Sequence, residues 1–234
     1  LPVIAPSTVN DVYLALMKSI FRWAVQEQWM DANPLEGLTV ADPVADEDKR
    51  DPFTVEQLNV LFGNAPWSPR DDQSKPGRFW VPLLCLFQGL RLSEAAGLRV
   101  EDVGMKDGIP MMIMRGFEIR RLKTESSRGE IPIHPELIRI GFLEHVEKRR
   151  RAKESTLFPD VRVNANGKVG AKLGEWFSKL VKERGLVGTK LGMHSFRHNF
   201  EDRLREAELA ERTALALARR KESGSSKTYG QGLS

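Results

Sequence analysis

With 234 residues, 41% hydrophobic and 29% charged, the chain can bury one large domain, or one domain and a piece of another, and is too polar for a membrane protein. It has no apolar run near the roughly 18 residues of a bilayer span, its first residues lack the pattern of a signal peptide, and its single cysteine, Cys85, excludes an internal disulfide or a thiolate metal cluster. The net charge of +4 hides an asymmetry: residues 1–114 hold 10 Lys and Arg against 16 Asp and Glu, net −6, and residues 115–234 hold 26 against 16, net +10.

In chain order, Val12, Leu16, Ile20 and Trp23 recur at helical spacing and predict one amphipathic helix from Ser7 to Trp29. Asn33, Pro34 and Gly37 end it. Tyr13 lies among its apolar positions and is expected to pack. The acidic stretch from Ala41 to Asp51 reads as a linker, so residues 1–40 are expected to be the last helix of a truncated preceding domain, 41–51 a linker, and 52–234 the main domain. On this reading the chain is an excised fragment.

Thr54 and Gln57 form a Thr-x-x-Gln capping box that starts a short helix to about Phe62. Phe79 to Phe87 reads as a buried helix that includes Cys85, Gly89 interrupts it, and Ser93 can cap a second short helix through Leu98. Pieces rich in β-formers at Met111 to Met114, Phe117 to Leu122 and Glu130 to Ile133 predict a small antiparallel sheet of about three strands. Helical periodicity returns at Pro135 to Ala152, Lys172 to Arg184, Ser195 to Ala207 and Leu209 to Arg219. The fold class expected is mainly α with a small antiparallel β-sheet (α+β). The run from Lys148 to Lys153 falls at a helix end, where cations complement the dipole, and reads first as a solvated terminus and second as a phosphate contact. The basic half as a whole is the candidate polyanion surface.

Four separated pieces carry chemistry: Gly89-Leu90-Arg91-Leu92-Ser93-Glu94, Leu122-Lys123-Thr124, His194-Ser195-Phe196-Arg197-His198, and Thr228-Tyr229-Gly230. Two arginines can hold the negative charge that builds on a phosphate during in-line displacement, through planar forked hydrogen bonds. His194 and Arg197, three apart, share one helix face. A tyrosine hydroxyl must lose its proton as it attacks, and the chain has only two tyrosines, Tyr13 and Tyr229.

In this order and spacing the four pieces resemble the active-site motifs of the tyrosine recombinases, the phage integrase family, over about residues 50–230. The residues Thr8 to Asn10, Ile20 to Ala24 and Asn33-Pro34 resemble the end of that family's core-binding domain. The resemblance implies an integrase-like catalytic domain performing site-specific DNA recombination, the integration or excision of a mobile element, through a covalent 3′-phosphotyrosine. It implies Tyr229 as nucleophile, Arg91 and Arg197 as the phosphate clamp, Lys123 on a β-hairpin as general acid, and His194 in proton transfer or phosphate binding, with Glu94 and His198 supporting from behind. No metal, cofactor or ATP is implied. The implied partners are double-stranded DNA, three further copies in a homotetramer on paired sites, and an accessory DNA-bending protein, with no membrane. The implied location is the cytoplasm, at the nucleoid, of a bacterium or in a phage-derived element.

Two departures stand out. Where the family carries a further His or Trp nine or ten residues before the nucleophile, the window reads Ala218-Arg219-Arg220-Lys221, and Arg220 is the best match. It can donate a hydrogen bond but cannot act as a base near neutral pH. The chain also stops five residues after Tyr229, which would leave out a C-terminal docking helix. Two other readings stay open. A non-catalytic DNA-binding module needs only the basic half. A metal hydrolase could use His194 and His198, four apart on a helix, but no third ligand is evident.

Overall fold

The computed structural model describes residues 4–41, 51–63, 67, 74–115, 129–165, 167–186 and 191–219. The chain divides into two compact units, Leu1–Lys49 and Arg50–Ser234.

In the first unit α1 (Pro6–Thr8) passes through a π-helical segment (Val9–Leu14) into α2 (Ala15–Gln26). The predicted helix is thus present, with a change of pitch that apolar periodicity does not encode. Asn10 ties the unit together, donating to the Val40 carbonyl at 2.7 Å and accepting from the Val40 amide at 2.8 Å. Trp23 and Trp29 meet edge to face at 4.8 Å. Tyr13, expected to pack, is 51% exposed, since none of the residues in these helical segments is buried.

The second unit is mainly helical with one small sheet. The Thr54 hydroxyl accepts from the Gln57 amide, the Gln57 side chain accepts from the Thr54 amide, and α3 (Val55–Phe62) follows. Next, α4 (Pro76–Gln88) is buried along most of its length and contains Cys85 at 0% exposure. It starts earlier than the apolar run indicated because Pro76 is favourable in the first turn. After α5 (Leu92–Ala96) and a 3₁₀ turn (Val100–Asp102), strands β1 (Val103–Lys106), β2 (Ile109–Met114) and β3 (Gly129–Pro132) form an antiparallel sheet in sequence order. Val103 pairs with Met112, and Met112 with Ile131.

The sheet corrects the expected strand set. The expected set lacks β1, because Val103-Gly104-Met105-Lys106 is only 4 residues long and carries a glycine, which leaves it a weak strand signal. The piece from Phe117 to Leu122 lies outside the described residues. The single helix expected from Pro135 to Ala152 is two, α6 (Pro135–Arg139) and α7 (Phe142–Arg151), broken where Gly141 takes a left-handed φ of +95°. The remaining helices are α8 (Ala171–Glu183), α9 (Met193–Glu206) and α10 (Glu211–Ala218).

The core places α9, the helix of the His-x-x-Arg box, by two devices. Phe196 is fully buried and meets the rings of Phe53 at 4.8 Å and Phe177 at 5.2 Å. Asn199 pairs with the backbone of Phe53, accepting from its amide at 2.9 Å and donating to its carbonyl at 2.6 Å. Rotation of α9 would break both, so the face carrying His194 and Arg197 is fixed. The end of α4 is fixed similarly: Gln88, buried, donates to the Pro132 carbonyl at 3.0 Å and accepts from the His134 amide at 3.0 Å, which ties the start of the Arg91 turn to the exit of β3.

Candidate active site

The site grows from a turn. Gly89 ends α4 at φ +59°, a conformation that costs a residue with a side chain about 1–2 kcal/mol. A Cβ there would lie 2.3 Å from the Phe200 ring of α9, so the glycine both makes the turn and lets the two helices close. Arg91 then stands at the start of α5. The Glu94 carboxylate reaches back to accept from the Arg91 amide at 2.9 Å and from its Nη1 at 2.9 Å. The Arg91 side chain keeps 26% of its surface in solvent while that of Glu94 keeps 2%.

Arg197 comes from α9 to the same turn. Its Nη1 donates to the Gly89 carbonyl, its Nη2 to the Ala218 carbonyl at the end of α10 at 2.6 Å, and its Nε faces Glu201 Oε1 at 3.1 Å. Arg197 therefore draws α4, α9 and α10 together and is itself only 2% exposed. Burial pulls its pKa down to about 10, against the attraction of Glu201, and the nearby Arg91 charge pulls in the same direction as burial. It remains a cation at neutral pH. Arg91 and Arg197 thus share one locality, Arg91 at the surface and Arg197 beneath.

The third guanidinium of this cluster was missed at the sequence level. Arg219, next to the expected Arg220, caps α10 in a left-handed conformation at φ +51° and is 4% exposed. Its Nη2 lies 3.0 Å from Glu94 Oε2 and 3.3 Å from the Gly89 carbonyl, while its Nε and Nη1 are buried with no hydrogen-bond partner among the described residues. The helix-ending turn aims Arg219 inward, and no composition or periodicity signal carries that. Glu201, four residues after Arg197, was legible as an i, i+4 partner but was not singled out.

Burial alone would raise the Glu94 carboxyl, but the Arg219 charge and the hydrogen bonds and charge of Arg91 outweigh it and hold the group below the ordinary glutamate value. Burial lowers Arg219 against the opposing pull of Glu94. Among the described residues, Arg91, Arg197 and Arg219 face Glu94 and Glu201, leaving the cluster with one positive charge more than negative. That surplus suits an anion.

His194 and His198 are half-buried on α9, their rings edge to face at 5.0 Å. Ser195, fully buried, accepts from the Gly192 amide at 3.1 Å and closes the first turn of the helix beneath His194. Lys123, Arg220 and Tyr229 lie outside the described residues. Among those described, no group of three His, Cys, Asp or Glu could hold a metal ion, and no helix is long and apolar enough to cross a membrane. Within the basic run at the end of α7, Arg149 pairs with Glu154 at 3.0 Å, and Arg150 with Glu147 at 2.8 Å and with the Val103 carbonyl at 2.9 Å, while the Arg151 side chain is 80% exposed.

The profile described as "Phage integrase family" matches residues 70–224. No curated protein matches the sequence. Among solved structures, the chain is similar to the integrase of the Tn1549 transposon in complex with transposon right end DNA, with TM-score 0.63 and 20% identity over 94% of this chain and 73% of that one. It is similar to a lambda integrase dimer bound to a core site, with TM-score 0.58 and 14% identity over 94% and 75%. The XerH site-specific recombinase bound to its difH substrate gives TM-score 0.52 and 15% identity over 92% and 63%. Each shares the fold, a mainly helical domain with a small antiparallel sheet.

Proposed function

The chain belongs to the phage integrase family, and from that premise we propose that it is a site-specific tyrosine recombinase that cuts and rejoins double-stranded DNA. The observation that carries this reading is the meeting of Arg91 and Arg197 at the Gly89 turn, within a cluster of surplus positive charge. In the proposed reaction the Tyr229 hydroxyl oxygen attacks the scissile phosphorus and the bond to the 5′-oxygen breaks. The tyrosine proton passes to a base or to solvent, with His194 assisting, and Lys123 donates the proton that the departing 5′-oxygen needs. Arg91, the exposed guanidinium, holds the charge on the non-bridging oxygens directly, and Arg197 buried beneath it adds its positive charge to the field they meet, where preorganised charges lower the barrier most. Arg220 is a further donor to the phosphate, and His198 and Glu94 support His194 and Arg91.

The 3′-phosphotyrosine retains the energy of the broken linkage, so a 5′-hydroxyl of a second strand displaces Tyr229 in the reverse chemistry without ATP or metal. DNA as the partner is supported by the bound DNA in the similar structures. The proposed assembly is a homotetramer exchanging strands on paired sites, as the family resemblance implies.

The test is a duplex nicked close to the cleavage point, so that the short 5′ product diffuses away and the adduct is trapped. A protein–DNA complex that survives denaturant, forms in the presence of chelator and is absent in Tyr229→Phe is the expected result. Binding without any adduct would favour the non-catalytic module, and chelator-sensitive cleavage would favour a metal hydrolase.

A further inference from the structure

We propose that Arg219 is a positioning residue for strand cleavage, acting through Glu94 to hold Arg91 toward the phosphate. The inference rests on the reading of Arg91 as a phosphate ligand. Its own evidence is a continuous relay: Arg219 Nη2 meets Glu94 Oε2 at 3.0 Å, that same oxygen accepts from the Arg91 amide at 2.9 Å, and Oε1 accepts from Arg91 Nη1 at 2.9 Å. Both side chains of the first contact are 2% exposed, so solvent screens the pair little.

Three features of Arg219 cost stability, and together they call for a return elsewhere. A non-glycine residue in the left-handed region, a buried guanidinium, and two buried N–H groups with no partner among the described residues coincide at one position. A residue that served only to end α10 would be better as glycine. What the arrangement achieves is a charged, fixed Glu94. The groups facing that carboxylate are Arg91 at the head of its own helix, Arg219 from the end of α10, Arg197 from α9 and Cys85 from α4. Without Arg219, burial would be opposed by Arg91 alone, the carboxyl would take up a proton at higher pH, and its grip on Arg91 would loosen.

The decisive experiment combines amide exchange with a mutant cycle in the full chain. Arg219→Gly suits the backbone of the site but removes the whole buried side chain, so Arg219→Gln, which keeps part of the stem and removes the charge, serves as the second variant should the glycine variant open globally. The Arg91 amide, bonded to Glu94, is expected to exchange about tenfold faster or more in either variant, as befits loss of a charged hydrogen-bond partner, while the Leu84 amide within α4 keeps its protection. On the nicked duplex, adduct formation is expected to fall about ten- to a hundredfold in Arg219→Gly, with its acid limb moved to higher pH than in the wild type. Glu94→Gln is expected to be impaired as well, and the double variant no further impaired than Glu94→Gln alone, because both act through one carboxylate. An Arg91 amide as protected as in the wild type, or losses that multiply in the double variant, would overturn the inference. If the wild type forms no adduct, the strand-cleavage reading fails, and the exchange measurement still decides whether Arg219 orders Arg91.

Discussion

Arg197 donates from Nη1 to the carbonyl oxygen of Gly89, 108 residues earlier in the chain. The bond joins the helix of the His-x-x-Arg box to the turn that presents Arg91, so the two halves of the proposed clamp hold each other in place. Arg197→Lys, which keeps the charge, cannot serve Gly89, Ala218 and Glu201 together, because an ammonium lacks the planar fork. Adduct formation should drop in this variant by about a hundredfold, equivalent to about 2.7 kcal/mol, measured on the nicked duplex with the wild type alongside.

Gly89 should tolerate no side chain. Gly89→Ala meets a left-handed backbone and the Phe200 ring at 2.3 Å, so a destabilisation of at least about 1–2 kcal/mol is expected from the backbone alone, with a further cost for moving α9. Chemical denaturation measures the first effect, and loss of adduct in the fraction that remains folded measures the second.

Phe196 faces away from the site into the aromatic cluster and fixes the rotation of α9. Phe196→Ala should cost about 3–5 kcal/mol, as for other large buried side chains. The urea midpoint is expected to fall accordingly, with both histidines and Arg197 intact in sequence.

Glu94 makes stability depend on pH. Its folded pKa lies below the ordinary 4.5, so the native state binds fewer protons than the unfolded state around that pH. Its contribution is therefore complete above the unfolded value and is lost as pH falls through the folded value. Between pH 6 and more acid conditions, Glu94→Gln should show a shallower fall in Tm than the wild type. Parallel curves for the two proteins would contradict the assignment.

Arg91, with 26% of its side chain exposed above the buried pair, is the member expected to touch DNA directly. Arg91→Ala should weaken duplex binding and reduce the slope of log K against log salt by about one, the signature of one lost phosphate contact. An unchanged slope would place Arg91 off the backbone.

What the sequence discloses follows from where local signals suffice. The Thr54–Gln57 box states its helix start outright, because the side chains that cap it are both in the motif. The His194 to His198 segment declares a helix and a chemistry at once. By contrast, β1 is held by pairing with β2 and not by its own pattern, and the break at Gly141 depends on a backbone angle inside an otherwise continuous helical rhythm. Arg219 is the sharpest case. Nothing in its sequence neighbourhood marks Arg219, and it is the left-handed turn at the end of α10 that sends its guanidinium to Glu94. Burial of Arg197 was equally invisible, since its carbonyl partners, Gly89 and Ala218, come from distant turns.

The most direct test of the account asks whether the guanidiniums exist to neutralise one phosphate. A nicked duplex carrying a methyl group in place of one non-bridging oxygen at the scissile linkage removes the charge that Arg91 and Arg197 are proposed to hold. Adduct formation by Arg91→Ala should lie far below the wild type on the ordinary phosphate and approach it on the neutral linkage. An equal deficit on both linkages would contradict the proposed clamp.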